Sequence, residues 1–363
     1  MNCITIDLDA LDHNLKTIRS WVEAHGATLT VVTKALCGHR ETLRGLAEVG
    51  VDSVADSRLD NLLSVREAMP GAEAWYLRPP HSSSLSEIVR LSDVSLNTEL
   101  RIVKELDAEA RRQGTTHSVV VMIELGDLRE GVLPGSLLQT YREIFSLDNI
   151  QILGIGANLG CLGGVLPSID QLMQLVLYRE LLELKFERSL PMISAGSSST
   201  LPLLREGRLP TKVNHFRVGE SIFLGTDLVQ GGTFPELRED AIRLDAEVVE
   251  VKEKGMVPLG ETSEITPFQP LEEEDSPEPG QRGYRALVTV GQVDTEVRGL
   301  TPLDPDYQIA GASSDLTVVN VGETRTGLRV GDSIGFRVEY SSFVRLMANP
   351  YTTKQLVRGN QTV

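Results

Sequence analysis

Thr28-Leu-Thr-Val-Val-Thr-Lys34-Ala-Leu-Cys-Gly38 is the stretch from which the rest of the chain is read. Leu29, Val31 and Val32 alternate with threonines in a run rich in β-branched side chains, which predicts a buried strand. Lys34 stands where that strand stops, and Gly38 opens a loop. A lysine at the carboxyl end of an early strand can condense with an aldehyde cofactor, and in a β/α barrel that end opens onto the active-site face. On this stretch alone, Lys34 reads equally well as a surface lysine whose stem lies along apolar neighbours.

The flanks carry the same rhythm. Residues 3–8 alternate as a short strand, and Asp9 starts an amphipathic helix with Leu11, Leu15, Ile18 and Val22 on one face. Beyond Gly38, helices are expected at 40–49, 56–68, 84–91, 98–113, 135–147, 168–184 and 199–206. Strands are expected between them at 51–54, 73–77, 93–96, 118–124, 151–157, 191–195 and 213–217. Together with the Lys34 strand these predict an N-terminal (β/α)8 TIM-type barrel. After about residue 235 the pattern changes. Strands are expected at 243–252, 284–291, 307–311, 315–321 and 333–340, and a Glu- and Pro-rich segment at 260–282 reads as a long loop or partly disordered insertion. The expected organisation is a barrel over 1–235 and a mostly-β C-terminal domain over 236–363, with strand 3–8 joining the latter.

With 363 residues, 41% hydrophobic and 24% charged, the chain has the balance of a soluble globular protein. Acidic residues outnumber basic ones 51 to 35, and a net charge of −16 argues against sequence-independent nucleic-acid binding. Cys3, Cys37 and Cys161 form no C-x-x-C pair, which suits free thiols in a reducing compartment and offers no zinc site. No run approaches a membrane span, and the first residues show no secretory pattern. A cytoplasmic protein with neither nucleic acid nor membrane as partner is expected.

The order of several short motifs goes further. They are Ile6-Asp-Leu-Asp-Ala-Leu-Asp-His-Asn-Leu15, Val32-Thr-Lys34-Ala, Gly126-Asp-Leu-Arg129-Glu-Gly131, Gly154-Ile-Gly-Ala-Asn158 and Ser194-Ala-Gly-Ser-Ser198-Ser. Arg217-Val-Gly-Glu-Ser221, Gly291-Gln-Val-Asp294 and Gly311-Ala-Ser-Ser314-Asp315 follow. In this order they resemble the alanine racemase family of pyridoxal 5'-phosphate enzymes (fold type III), and within it the ornithine racemases most. The resemblance implies a barrel followed by a β domain, a homodimer with sites shared between subunits, and Lys34 as the Schiff-base lysine.

The resemblance also assigns roles. Arg217 matches the arginine facing the pyridine nitrogen; a guanidinium keeps its proton there, which weakens the ring as an electron sink and favours return of the α-proton. Its competing reading is a solvated surface pair. Ser198, with the backbone N–H groups of Gly219 and Glu220, matches the phosphate site, and Ser199 opens a helix whose start attracts an anion. Asn158 stands where alanine racemases carry a histidine against the ring. Arg129 matches the arginine that holds the phenolic oxygen and the substrate carboxylate, with an ion pair to Asp127 or Glu130 as the alternative.

Departures concentrate in the substrate half. The family's phosphate-touching tyrosine is Gly38 here, its opposite-face tyrosine is Gln292, and its pocket-closing tyrosine is Leu356, with Tyr351 nearby as a cofactor contact. Ser314 replaces the carboxylate-binding methionine, and Asp294 and Asp315 add acid, which suits an amino-acid substrate with a distal ammonium such as ornithine or lysine. Alternatively, the two aspartates cap turns. The second base is expected at Cys37, on the Lys34 loop, or at Tyr340, ending a strand of the β domain. An alanine or broad-specificity racemase and a non-catalytic cofactor carrier are the alternative functions. A basic amino-acid decarboxylase would need a later cysteine, and a D-threonine-aldolase-like enzyme late metal-binding histidines; none follows Cys161 or His215 respectively.

Overall fold

The computed structural model describes residues 2–160, 162–257, 259–261, 278, 280–324, 327–359 and 361–362. Most of the segment expected at 260–282 as a loop lies outside the described residues. The chain forms two compact units, one of Leu11–Arg238 and one combining Met1–Ala10 with Glu239–Val363.

The chain opens with β1 (Cys3–Asp7) and α1 (Leu8–Ala24). Strand and helix then alternate as β2 (Thr28–Val32), α2 (Arg40–Glu48), β3 (Ser53–Asp56), α3 (Leu59–Ala68), β4 (Glu73–Tyr76), α4 (Leu85–Leu91), β5 (Val94–Asn97) and α5 (Leu100–Gln113). The second half continues with β6 (His117–Met122), α6 (Leu137–Ile144), β7 (Ile150–Gly156), α7 (Ile169–Phe186), β8 (Met192–Ser197), α8 (Leu201–Arg205), β9 (His215–Val218) and α9 (Glu220–Leu224). Strands β2 to β9 close into a barrel, every neighbouring pair parallel and β2 completing the ring against β9. Short strands buried on both faces are what this architecture demands, and β5 and β9 are buried at every residue. The surrounding helices bury one stripe each. In α5 the buried positions are Val103, Leu106, Asp107 and Ala110, at helical spacing, and Gly114 ends the helix in the left-handed conformation. The helix expected at 199–206 is instead a 3-10 turn, Ser198–Thr200, leading into the short α8. The capping box of Ser197 and Thr200 holds that turn.

The barrel interior has two characters. One side is apolar, a cluster of Ala55, Trp75, Val94, Leu96, Val120 and Met122. The β2, β8 and β9 side carries Thr30, Ser194, His215 and Arg217, all buried.

The other unit contains β10 (Ile242–Gly255), β11 (Arg282–Val288), β12 (Leu300–Pro302), β13 (Gln308–Ala312), β14 (Thr317–Asn320), β15 (Ser333–Val338), α10 (Tyr340–Ala348), β16 (Thr353–Arg358) and β17 (Gln361–Thr362). Its sheet runs β13-β14-β11-β10-β1-β16-β17, with β15 joining β10 and β12. β1 sits inside this sheet, antiparallel to β10 and parallel to β16, with Ile4 and Ile6 fully buried. The strand expected at 333–340 stops at Val338, and Tyr340 opens α10 instead of ending a strand. Burial of Phe343, Leu346 and Met347 at helical spacing takes over there from the alternation of Phe336 and Val338.

Candidate active site

The carboxyl ends of β2, β6, β7, β8 and β9 carry the barrel's candidate residues. Lys34 is exposed just past β2, as the first residue of a 3-10 turn, Lys34–Leu36. Cys37 and Gly38 follow with φ of 50° and 73°, two left-handed residues that turn the chain toward α2. The half-buried Cys37 thiol lies 3.8 Å from the Ala35 carbonyl oxygen and 3.9 Å from that of Lys34. Gly38 is dictated by its surroundings. A Cβ there would stand 3.1 Å from both Asn61 Oδ1 and Ser64 Oγ on α3, in a backbone conformation that side chains rarely adopt. A side chain at this point, such as the tyrosine that the family resemblance would place there, would have to displace these groups.

β9 runs beside β2 with Thr30 opposite Arg217 and Val31 opposite Val218. Gly219, the next residue but one after Arg217, therefore meets the end of β2, and a Cβ on it would lie 2.8 Å from the Val32 carbonyl oxygen. On the neighbouring β8, Ser198 begins the 3-10 turn, and its hydroxyl accepts from the Ser221 N–H at 3.4 Å. The Glu220 carboxylate accepts from the Thr226 hydroxyl at 3.5 Å. A hydroxyl and several backbone N–H groups at adjacent strand ends form a donor set suited to an anion.

Arg217 is only 6% exposed, which removes the surface-pair reading. Its Nη1 donates to the Ser194 carbonyl at 2.7 Å and to the Ser194 hydroxyl, while Nη2 donates to Asn158 Oδ1 at 2.7 Å and the Ala157 carbonyl at 3.1 Å. Asn158 passes the contact on by donating to the Glu130 carboxylate, and Glu130 pairs with Arg129 Nε at 2.7 Å. Arg129 is also 3.6 Å from Asp127, so its ion-pair reading is realised, with the guanidinium still partly open to solvent. The loop that presents it folds around the Glu124 carboxylate. Glu124 accepts from the N–H groups of Gly126, Leu128 and Arg129 at 2.5, 3.1 and 3.1 Å. Arg217, Asn158, Glu130 and Arg129 thus form one polar chain from β9 across β7 to the loop after β6.

Two buried titratable groups flank this site. Burial pushes the Asp56 carboxyl up to about 6, despite hydrogen bonds from Arg58, Asn61, Ser57 and Thr33 that favour its charge. Burial, and then the neighbouring Arg217, pushes His215 down to about 3, so its imidazole is neutral.

The β unit brings a second group together. The turns at 291–294 and 313–316 are joined by Gln292 N–H to the Ser313 carbonyl and Val293 N–H to the Ser314 carbonyl, each at 3.0 Å. Asp294, Ser314 and Asp315 lie on these paired turns. The Asp294 carboxylate accepts from the Gly291 N–H at 3.0 Å and from Asn349 Nδ2 at 2.9 Å, so it holds its turn. Asp315 accepts from the Ser314 hydroxyl at 2.6 Å and is otherwise exposed. Asn349 ties in the exposed Tyr351 by accepting its N–H at 2.8 Å. Leu356 is buried in β16, opposite Ile6.

Ser194 and His215 were not among the expected site residues. Period-two spacing puts His215 on the same barrel face as Arg217, which was the available signal.

Comparison with known proteins places the chain in a family. The family described as "Alanine racemase, N-terminal domain" matches residues 6–227. Ornithine racemase of Acetoanaerobium sticklandii is 35% identical, covering 98% of this chain and 99% of its own length. Lysine racemase of Thermotoga maritima is 30% identical, covering 97% of each. Among solved structures, alanine racemase from Corynebacterium glutamicum superposes with a TM-score of 0.74 at 19% identity, covering 98% of this chain and 99% of that one. A family match over more than half the chain, with relatives similar along nearly its full length, makes this protein a member of the alanine racemase family.

Proposed function

We propose that this protein is a racemase dependent on pyridoxal 5'-phosphate that interconverts the L and D forms of a basic amino acid, ornithine first and lysine second. The substrate reading is carried by the near full-length similarity to an ornithine racemase and a lysine racemase, which spans both units. The cofactor reading is supported by the donor set. A primary amine at a strand end, a hydroxyl beside backbone N–H groups, and a buried guanidinium are what an aldehyde, a phosphate and a pyridine nitrogen require. When bound, the cofactor supplies an electron sink for charge developing at the substrate's α-carbon.

The chain's own groups do the rest. Lys34 holds the cofactor and moves the α-proton on one face. Arg217, fixed by Ser194, Ala157 and Asn158, presents a cation that keeps its proton. Ser198 and the backbone of Gly219 and Glu220 hold the phosphate, while Arg129, oriented by Glu130, meets the carboxylate of the substrate. Cys37 serves the opposite face, with Tyr340 as its competitor. The enzyme works as a cytoplasmic homodimer, in which Asp315 and Ser314, with Asp294 behind them and Tyr351 beside them, reach the partner's barrel and meet the distal ammonium. In D2O, α-deuterium should enter ornithine and lysine faster than alanine. Faster exchange into alanine would refute the substrate reading, and no exchange into any amino acid would refute the racemase.

A further inference from the structure

Barrel centres are ordinarily filled with layers of apolar side chains. Beneath Arg217 this barrel instead carries a continuous hydrogen-bonded row that runs toward its amino-terminal rim. Ser194 Oγ and His215 Nδ1 are 2.7 Å apart, His215 Nε2 and Thr30 Oγ1 2.9 Å, Thr30 Oγ1 and Ser53 Oγ 2.8 Å, and Ser53 Oγ and Glu73 Oε2 3.1 Å. The Trp75 indole stacks on the His215 ring, centroids 4.5 Å apart and planes 13° from parallel, and its Nε1 donates to the same Glu73 oxygen at 2.7 Å.

The direction of every bond follows from its far end. A carboxylate only accepts, so Ser53 spends its single hydrogen on Glu73 and must accept from Thr30. Thr30 then has no hydrogen left for His215, so Nε2 carries the imidazole proton and donates. In a neutral imidazole Nδ1 is then the acceptor, and Ser194 must donate to it. That leaves the Ser194 oxygen with its lone pairs turned to Arg217 Nη1, which donates to it. The row runs one way, Arg217 to Ser194 to His215 to Thr30 to Ser53 to Glu73, from a cation to an anion. Without an acceptor at Nδ1 the Ser194 hydroxyl is free to rotate, and its proton can face the guanidinium.

We infer that this row is a positioning device, in which Glu73 acts through Thr30, His215 and Ser194 to hold the Arg217 guanidinium in one orientation at the opposite end of the barrel. The inference rests on the reading of Arg217 as the group facing the cofactor's ring nitrogen. None of these residues but Arg217 touches the site; they are positioning residues.

The test compares Thr30→Val, Thr30→Ser and Arg217→Lys in the holoenzyme. Thr30→Val is near-isosteric and breaks the row two bonds from Arg217, while Thr30→Ser keeps the hydroxyl. Thr30→Val should move the cofactor's visible band, weaken cofactor binding in spectral titration, and lower kcat by about ten- to a hundred-fold with little change in KM. Thr30→Ser should restore all three. Nitrogen-15 spectra of the histidine-labelled protein, with His215 assigned by its loss in His215→Gln, should show a protonated Nε2 and a bare Nδ1. If Arg217→Lys leaves the band and the cofactor affinity unaltered, the reading of Arg217 fails and the inference goes with it. If Arg217→Lys alters both but Thr30→Val matches Thr30→Ser, or if the proton is on Nδ1, the row does not position Arg217.

Discussion

Lowering the pH from 8 to 5 should cost the barrel stability, and two buried histidines set the amount. His215 and His117 are each 2% exposed. Burial depresses His215 to about 3 and His117 to about 4, the latter against the opposing pull of Asp93. In the unfolded chain both return to about 6.5. The folded state therefore binds fewer protons, and the stability from neutral burial is complete above 6.5 and lost as the pH falls toward the folded values. At pH 5, still above both folded values, each histidine costs about 2 kcal/mol, a figure that hardly depends on how far below 5 the folded pKa lies. Asp56 works the other way. Its folded pKa is raised from 3.8 to about 6, so its buried charge costs stability at pH 8, and protonation at pH 5 returns about 1 kcal/mol. The net loss is about 3 kcal/mol. Both tryptophans, Trp21 and Trp75, lie in the barrel unit, so denaturant titrations followed by tryptophan fluorescence report on it. In the His117→Gln/His215→Gln variant, whatever its stability at pH 8, the pH dependence should change sign, with a gain of about 1 kcal/mol at pH 5 from Asp56 alone. If that variant loses as much as the unaltered protein between pH 8 and 5, buried neutral histidines are not the cause.

Other expectations are more local. Gly38→Tyr forces a side chain into a left-handed position against Asn61 and Ser64, and should cost about 1–3 kcal/mol in denaturant titration without tightening cofactor binding. Asp315→Asn should raise the KM for ornithine by at least about ten-fold and leave alanine exchange alone, whereas Asp294→Asn should act mainly on the melting temperature, because its carboxylate holds the turn with Gly291 and Asn349. Sedimentation should find a dimer, and a fully active monomer would refute the shared site. For the second base, Cys37→Ser should block α-deuterium exchange from one enantiomer and spare the other; if Tyr340→Phe does this instead, the assignment passes to Tyr340.

The fold was legible where local pattern and tertiary role coincide. The alternation in Thr28–Val32 is that of a strand because both barrel faces must be filled, and each later strand repeats the condition. Legibility failed where the deciding partner is remote. β16 is a strand by virtue of pairing in parallel with β1, about 350 residues earlier, and nothing within Thr353–Arg358 announces that partner. Tyr340 extends the alternation of Phe336 and Val338, so a strand reading runs two residues too far before the helical stripe takes over.

The same distinction applies to the site. Periodicity puts Lys34 at a strand end but leaves it equally a surface lysine; the family resemblance singles out Ser198 and Arg217, and the structure places all three at the carboxyl ends of β2, β8 and β9. Asp294 could not be separated from a turn cap, since a carboxylate closing its own turn and one awaiting an ammonium have the same local sequence. Only its contacts with Gly291 and Asn349 decide how much of it is already used. The row under Arg217 was hidden for a further reason. Period two places Thr30, His215 and Arg217 on inward faces, yet which inward groups touch depends on the stagger between β2, β8 and β9. The shift between Ser194 and Gly196 in the β8–β9 register lies beside Ser194 and sets how its hydroxyl stands to His215 and Arg217. A one-residue slip of β8 would turn Ser194 out of the barrel and take its hydroxyl from both His215 and Arg217. The chemistry of this site thus depends on strand register, a property of the closed ring that no single strand carries.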